Sequence, residues 1–293
     1  MTHRLMCIIW ILAGLLVSLF PFSVWAGNQP KWEAGIGVFH AQLPHYLGSN
    51  HYYRLTVPFP VFIYRFDVAE LGQGSKLLLW DGDRVVIDIG LSGRLPVESA
   101  PIDANSPTGA NNSGAEIIQI ENYTRRGMED LPLTFFGGVR TKVYFTDHLL
   151  LELPVLNGFT VGGGFGHVGN IYTPELSYDF FGRDSNDSMG LSVSWRHGDE
   201  NYNNYYYGVK EADAIEGRSE YRANPGLVAL TYGFGGFFNL TEEFAIGLGY
   251  FINDLKHSIV RNSPLVISQQ SRSFTIGFIY RFLQSSQFVR TWK

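Results

Sequence analysis

The chain has 293 residues, 22 basic and 27 acidic side chains, a formal charge of −5 and one cysteine. That balance offers no electrostatic footprint for nucleic acid, and a lone cysteine excludes a disulfide scaffold. Charged residues are 17% of the chain, aromatics 15%, and there are 33 glycines.

The first predicted element is a leader. Arg4 precedes an apolar run from Leu5 to Phe20, and Val24 and Ala26 occupy the small-residue positions of a cleavage site. This is the layout of a secretory signal, so residues 1–26 are expected to be cut off after Ala26. The run falls short of the roughly 20 apolar residues a spanning helix needs. Cys7 leaves with the leader, and no later run approaches helix-spanning length.

From there the chain alternates with a period of two. In "VVIDIGLSGRL", Val85, Ile87, Ile89 and Leu91 share one face, while Asp88, Ser92 and Arg94 share the other. The same pattern recurs in "PLTFFGGVRTKVYF", "YTPELSYDF", "GLSVSWR", "EFAIGLGYFI" and "SFTIGFIYRF". Such dyads predict half-buried strands. The candidate strands lie near 31–41, 52–66, 75–80, 84–95, 132–145, 148–158, 170–182, 188–197, 226–238, 243–254 and 271–282.

Many segments run to about ten residues or more, longer than the five or six usual in a sandwich. Their apolar positions carry aromatics at the ends: Trp32, Tyr178, Trp195, Phe244, Tyr280 and Phe282. The expected fold is all-β, a transmembrane antiparallel up-and-down β-barrel of 10–12 strands over residues 27–282, with a tail at 283–293. An even number is required, so either 75–80 is not a crossing or one strand is missing from the eleven. Short connections at 145–148 and 238–242 are expected on the periplasmic side. The long segments 96–131, 198–225 and 254–270 are expected to face outward.

On the non-lipid parity fall Asp88, Arg94, Arg140, Lys142, Glu152, Glu175, Asp179, Arg196 and Arg281. These are expected either to pair with one another in a narrow lumen or to line a small polar pore. "YNNYYYGV" (Tyr202 to Val209) holds four tyrosines and is expected at the bilayer interface or packed as a lid over the mouth. Asp147-His148 is an acid–histidine neighbour pair, but the two sit in a tight turn, which favours turn chemistry over catalysis. His40, His45 and His51 lack nearby acids, so no metal or other cofactor is expected. "VGGGFG" (161–166) lacks the lysine of a phosphate loop and reads as a flexible loop.

Several blocks together resemble the MipA/OmpV family of MltA-interacting proteins. "LPHYLGSNHYYRLTVPFPVFIYRF", "SGRLPVES" and "RRGMEDLP" stand in family order, the last through Arg126, Gly127, Met128, Asp130 and Leu131. "LLLELPV", "FTIGFIYRF" and "YNNYYYGVKEADA" are similar to further blocks, the last through Tyr202, Tyr205, Tyr206, Gly208 and Val209. The insert from Pro101 to Gln119 and the tail after Phe282 depart from the pattern. The resemblance implies a non-catalytic outer-membrane barrel, surrounded by lipid, scaffolding a lytic transglycosylase and a penicillin-binding murein synthase. The alternatives are a small porin-like channel and a stress-responsive or adhesive protein.

Overall fold

The computed structural model describes residues 27–66, 69–71, 76–101, 121–161 and 166–291. The expected leader, the "VGGGFG" glycines 162–164 and most of the 101–119 insert lie outside those residues. Strands close into one antiparallel ring. In order around it stand β2 (Trp32–Pro44), β3 (Tyr52–Arg65), β4 (Ala69–Leu71), β5 (Lys76–Asp81) and β6 (Val85–Arg94). They are followed by β9 (Leu133–Tyr144), β10 (Leu149–Val161), the pair β11 (His167–Tyr172) and β12 (Glu175–Asp179), and β13 (Ser188–Gly198). Then β14 (Gly226–Asn239), β15 (Phe244–Asp254) and β16 (Gln270–Gln284) lead back to β2. Between β6 and β9 a two-residue pair, β7 (Glu98–Ser99) and β8 (Glu121–Asn122), runs parallel.

β11 and β12 are two halves of one pass, interrupted at Thr173-Pro174, and both lie against β10. With that pass counted once, the ring has twelve strands. The strand absent from the eleven candidates is β4, whose three residues are too few to display alternation. The 75–80 segment is a strand, β5.

The alternation is that of a cylinder in lipid. Ile36, Val155 and Phe278 point outward and are 57%, 56% and 48% exposed, while their neighbours on the strand turn inward. Hydrocarbon accepts the apolar side chains but offers the backbone no hydrogen bonds, so the wall has to be a closed ladder. At the end carrying the short turns, aromatic rings cluster on the outside. Phe244 stacks on Tyr280 at 4.6 Å, and Tyr64 lies 4.7 Å from Phe66.

The wall is uneven at β4–β5. β4 pairs with β3 only at Tyr64 and Arg65, so β3 above that point has no strand on this side among the described residues. Phe66 donates its N–H toward β4 and Arg65 toward the opposite side, which puts the even-numbered edge groups of β3 on the unpaired side. Pro58 and Pro60 fall on that parity. Their missing N–H groups are the ones the gap would have left without a strand partner.

Two short strands far apart in the sequence also pair. β1 (Gly27–Pro30) runs antiparallel to β17 (Phe288–Thr291), from Gly27 opposite Thr291 to Pro30 opposite Phe288. The expected tail is thus partly a strand, and the barrel's last strand continues two residues past Phe282.

Candidate functional site: a lumen closed at both ends

The short-turn end is floored by an ionic chain. Glu33 on β2 lies 3.5 Å from Arg65 and 3.4 Å from Arg281, and Arg65 lies 3.5 Å from Glu70. All four side chains are largely shielded, so each charge needs its partners. The terminal ribbon rests on this floor. Arg65 donates to the Pro30 carbonyl at 2.8 Å, and the Gln29 amide reaches Asn186 in the β12–β13 turn. Asn239 links that turn to Arg281 at 3.1 Å.

Higher in the lumen, the fully buried Asp88 carboxylate bridges Arg140 at 2.6 Å and Lys142 at 3.4 Å. Glu152 stands opposite Lys142 on one side and opposite Glu175 on the other. Arg196 sits at the irregularity near the top of β13. Asp179 is placed differently from the other eight: its carboxylate accepts from Phe181 N and Gly182 N and so caps the turn after β12. Glu33, Arg65, Glu70 and Lys76 are inward charges absent from the sequence-derived set. Glu33 was accessible to the same parity argument. Glu70 and Lys76 sit on strands too short to show one.

The tyrosine segment closes the opposite mouth. It is a helix, α1 (Glu200–Tyr207), a form the alternation does not anticipate, although a lid over the mouth is one of the two placements the tyrosines suggest. Eight residues do not hold a helix alone, so capping and packing supply the rest. Asp199 is the N-cap: one oxygen accepts from Tyr202 N at 2.8 Å, the other from Asn170 N and Nδ2, both at 2.8 Å. Burial works to raise the Asp199 carboxyl, but those bonds outweigh it and hold it below the ordinary carboxylate range. Gly169, at φ +119°, leaves room for this docking. A Cβ there would meet Tyr202 N at 2.3 Å and Asp199 Oδ1 at 2.4 Å.

Tyr202, Tyr206 and Tyr207 are buried, with Arg94 under them, 5.5 Å from the Tyr206 ring centre. Burial pushes the Tyr206 and Tyr207 phenols up, so both stay protonated at physiological pH. Tyr205 faces Thr134 at 3.3 Å. Gly208 ends the helix through its N–H to Asn204 O, and Val209 bridges Tyr221.

The other long loops are stitched to this plug. Ser263 donates to Tyr207 O at 2.6 Å, and Tyr46 to Leu265 O at 3.1 Å. Arg218 donates to the carbonyls of Thr124 and Arg126. In the "RRGMEDL" block, Gly127 takes φ +73°, Met128 N bonds Arg125 O, Asp130 accepts from Ser99 N at 2.7 Å, and Leu131 is buried against Val97. These residues therefore shape the loop that supports the lid.

The remaining candidates are also located. Asp147 and His148 lie in the β9–β10 turn, where Asp147 O accepts from Arg183 N and His148 Nδ1 lies 2.8 Å from Asp179 O. His45 stacks on Tyr53 at 4.2 Å, while His40 bonds Thr56 on the outer wall.

Among solved structures, the chain is similar to the NanC porin, at 9% identity and TM-score 0.39, covering 84% of this chain and 98% of that one. It is also similar to the CymD monoaromatic hydrocarbon channel (10%, TM-score 0.37, covering 87% and 89%). OmpT of Vibrio cholerae is similar at 9% identity and TM-score 0.32, covering 76% and 64%. Likeness of that degree identifies neither ligand nor function. No curated protein matches. The profile of the family described as MltA-interacting protein MipA matches residues 35–282, and the chain belongs to that family.

Proposed function

We propose that this protein is a non-catalytic scaffold of the outer membrane, exported by a cleaved leader, which holds a lytic transglycosylase and a penicillin-binding murein synthase together. The family's description as MltA-interacting supports the murein-enzyme partner. The observation that carries the rest is that the barrel's own chain packs across both mouths, with the ribbon and ionic floor at one end and the tyrosine plug at the other. A barrel so filled offers surfaces more readily than a passage. The test is a pull-down from detergent extract with the purified barrel as bait. Enrichment of both enzyme classes is expected, and enrichment of neither overturns the reading.

A second reading, a small polar channel, is favoured by the inward Glu152, Glu175 and Arg196 between the two closures. Planar-bilayer recordings test it. Steady conductance from pure protein supports it, and silent membranes exclude it.

A further inference from the structure

The outer wall carries a feature that neither scaffold nor channel uses. Across β15, β16, β2 and β3 an apolar groove of about 590 Å³ opens toward the lipid, lined by Ile36, Val38, Pro58, Pro60, Phe278 and Tyr280 among others. Above it, toward the long-loop end, the same outer faces turn basic. Arg54 lies four residues along β3 from Pro58, and Arg272 six residues along β16 from Phe278; both are exposed.

Neither guanidinium has an acidic partner among the described residues. The one carboxylate on the outer faces of these four strands, again among the described residues, is Asp254. It accepts from Lys256 N at 2.8 Å and lies 4.0 Å from Lys256 Nζ. Register sets the two arginines on the same outer face, two strands apart and two residues offset, about 12 Å between Cα atoms and within joint reach of one headgroup. Arg54 is opposite Gln42, which is opposite Phe274, and the backbone N–H of Arg272 reaches the Tyr52 hydroxyl at 3.5 Å.

We propose that this composite is a binding site for a phosphorylated acyl lipid of the leaflet at the long-loop end, with its phosphate on Arg54 and Arg272 and an acyl chain in the groove. Dimensions and charge both fit. Four to six residues of strand run about 13–20 Å, which at the roughly 40° tilt of barrel strands is about 10–15 Å along the membrane normal, the depth of hydrocarbon in one leaflet. Guanidinium forks pair with phosphate through charge-assisted hydrogen bonds, and arginines at the water–lipid boundary with no acidic partner among the described residues are placed to do so. The proline pair deepens the fit: Pro58 and Pro60 present compact rings where longer side chains would fill the groove.

The test is native mass spectrometry of the detergent-purified protein with hexa-acylated, doubly phosphorylated lipid A and with its dephosphorylated form. Wild type is expected to bind the phosphorylated form roughly tenfold tighter. The Arg54→Gln/Arg272→Gln variant is expected to lose that preference, and Val38→Trp, which fills the groove, to weaken both forms alike. Both variants are checked for the heat-modifiable gel migration of a folded barrel. Three outcomes overturn the proposal: a wild type that does not discriminate, a double Gln variant that still does, or displacement of the lipid by inorganic phosphate alone.

Discussion

The Tyr53 hydroxyl donates to the Pro96 carbonyl at 2.7 Å and so ties β3 to the chain just beyond β6, across the sector where β4 and β5 stop short. Tyr53 is otherwise buried against His45. A phenylalanine keeps the ring and removes the bond. Tyr53→Phe is expected to lower stability by about 1 kcal/mol, read as a shift of the urea midpoint in lipid vesicles. An unchanged midpoint means this link contributes nothing to closure.

The prolines beside that sector lead to a second expectation. Pro58→Val with Pro60→Val restores two N–H groups on a strand edge without a ladder partner, and such edges recruit other chains. The double variant is expected to form more sodium-dodecyl-sulfate-resistant oligomers than wild type on unheated gels. Equal oligomer content in the two proteins disproves the protective role.

Asp88 holds two cations at once. Asp88→Ala leaves Arg140 and Lys142 facing each other in a shielded lumen with their shared anion gone. Removing one partner of a buried ionic group costs about 3–5 kcal/mol. The urea midpoint is expected to fall accordingly, while a wild-type midpoint would show that water solvates this pair.

Acid is expected to loosen the lid. The Asp199 carboxyl is held below its ordinary range in the folded chain, so its contribution is fully present at neutral pH. That contribution is lost as pH falls through the ordinary carboxylate range and below. Protease cutting within 199–225 is expected to rise in that window, measured with pepsin. Asp199→Asn, which does not titrate, is expected to show the higher cutting rate without the pH step. A wild-type profile in this variant rules the mechanism out.

Crowding at Gly169 gives an independent handle on the same lid. Gly169→Ala places a methyl against Tyr202 N and Asp199 at a backbone angle that L-residues avoid. Overpacking of this kind costs about 1–3 kcal/mol. The expected readout is faster trypsin cutting at Lys210 or Arg222 with little change in the global urea midpoint.

The wall of the barrel was legible because lipid and lumen are such different solvents that every second residue reports which one it meets. Asp88, Arg140 and Lys142 could therefore be assigned to the interior from parity alone. β4 escaped because three residues hold one period and a half. The helix escaped for another reason. In "YNNYYYGV" the tyrosines at 202 and 206, four residues apart, are the helical signal, but Tyr205 and Tyr207 on either side of Tyr206 blur it. The ribbon of β1 and β17 has no local signature, since its strands are four residues each and lie at opposite ends of the sequence.

That pairing has a practical corollary. Gly27 and Thr291 are neighbours, so in a chain cut after Ala26, as the leader layout leads one to expect, the ends could be joined by a short linker and the chain reopened in a long loop. A circularly permuted barrel of this kind would begin and end at the far mouth. Every strand would keep its neighbours, although the segment that was last to be synthesised would then be made in the middle.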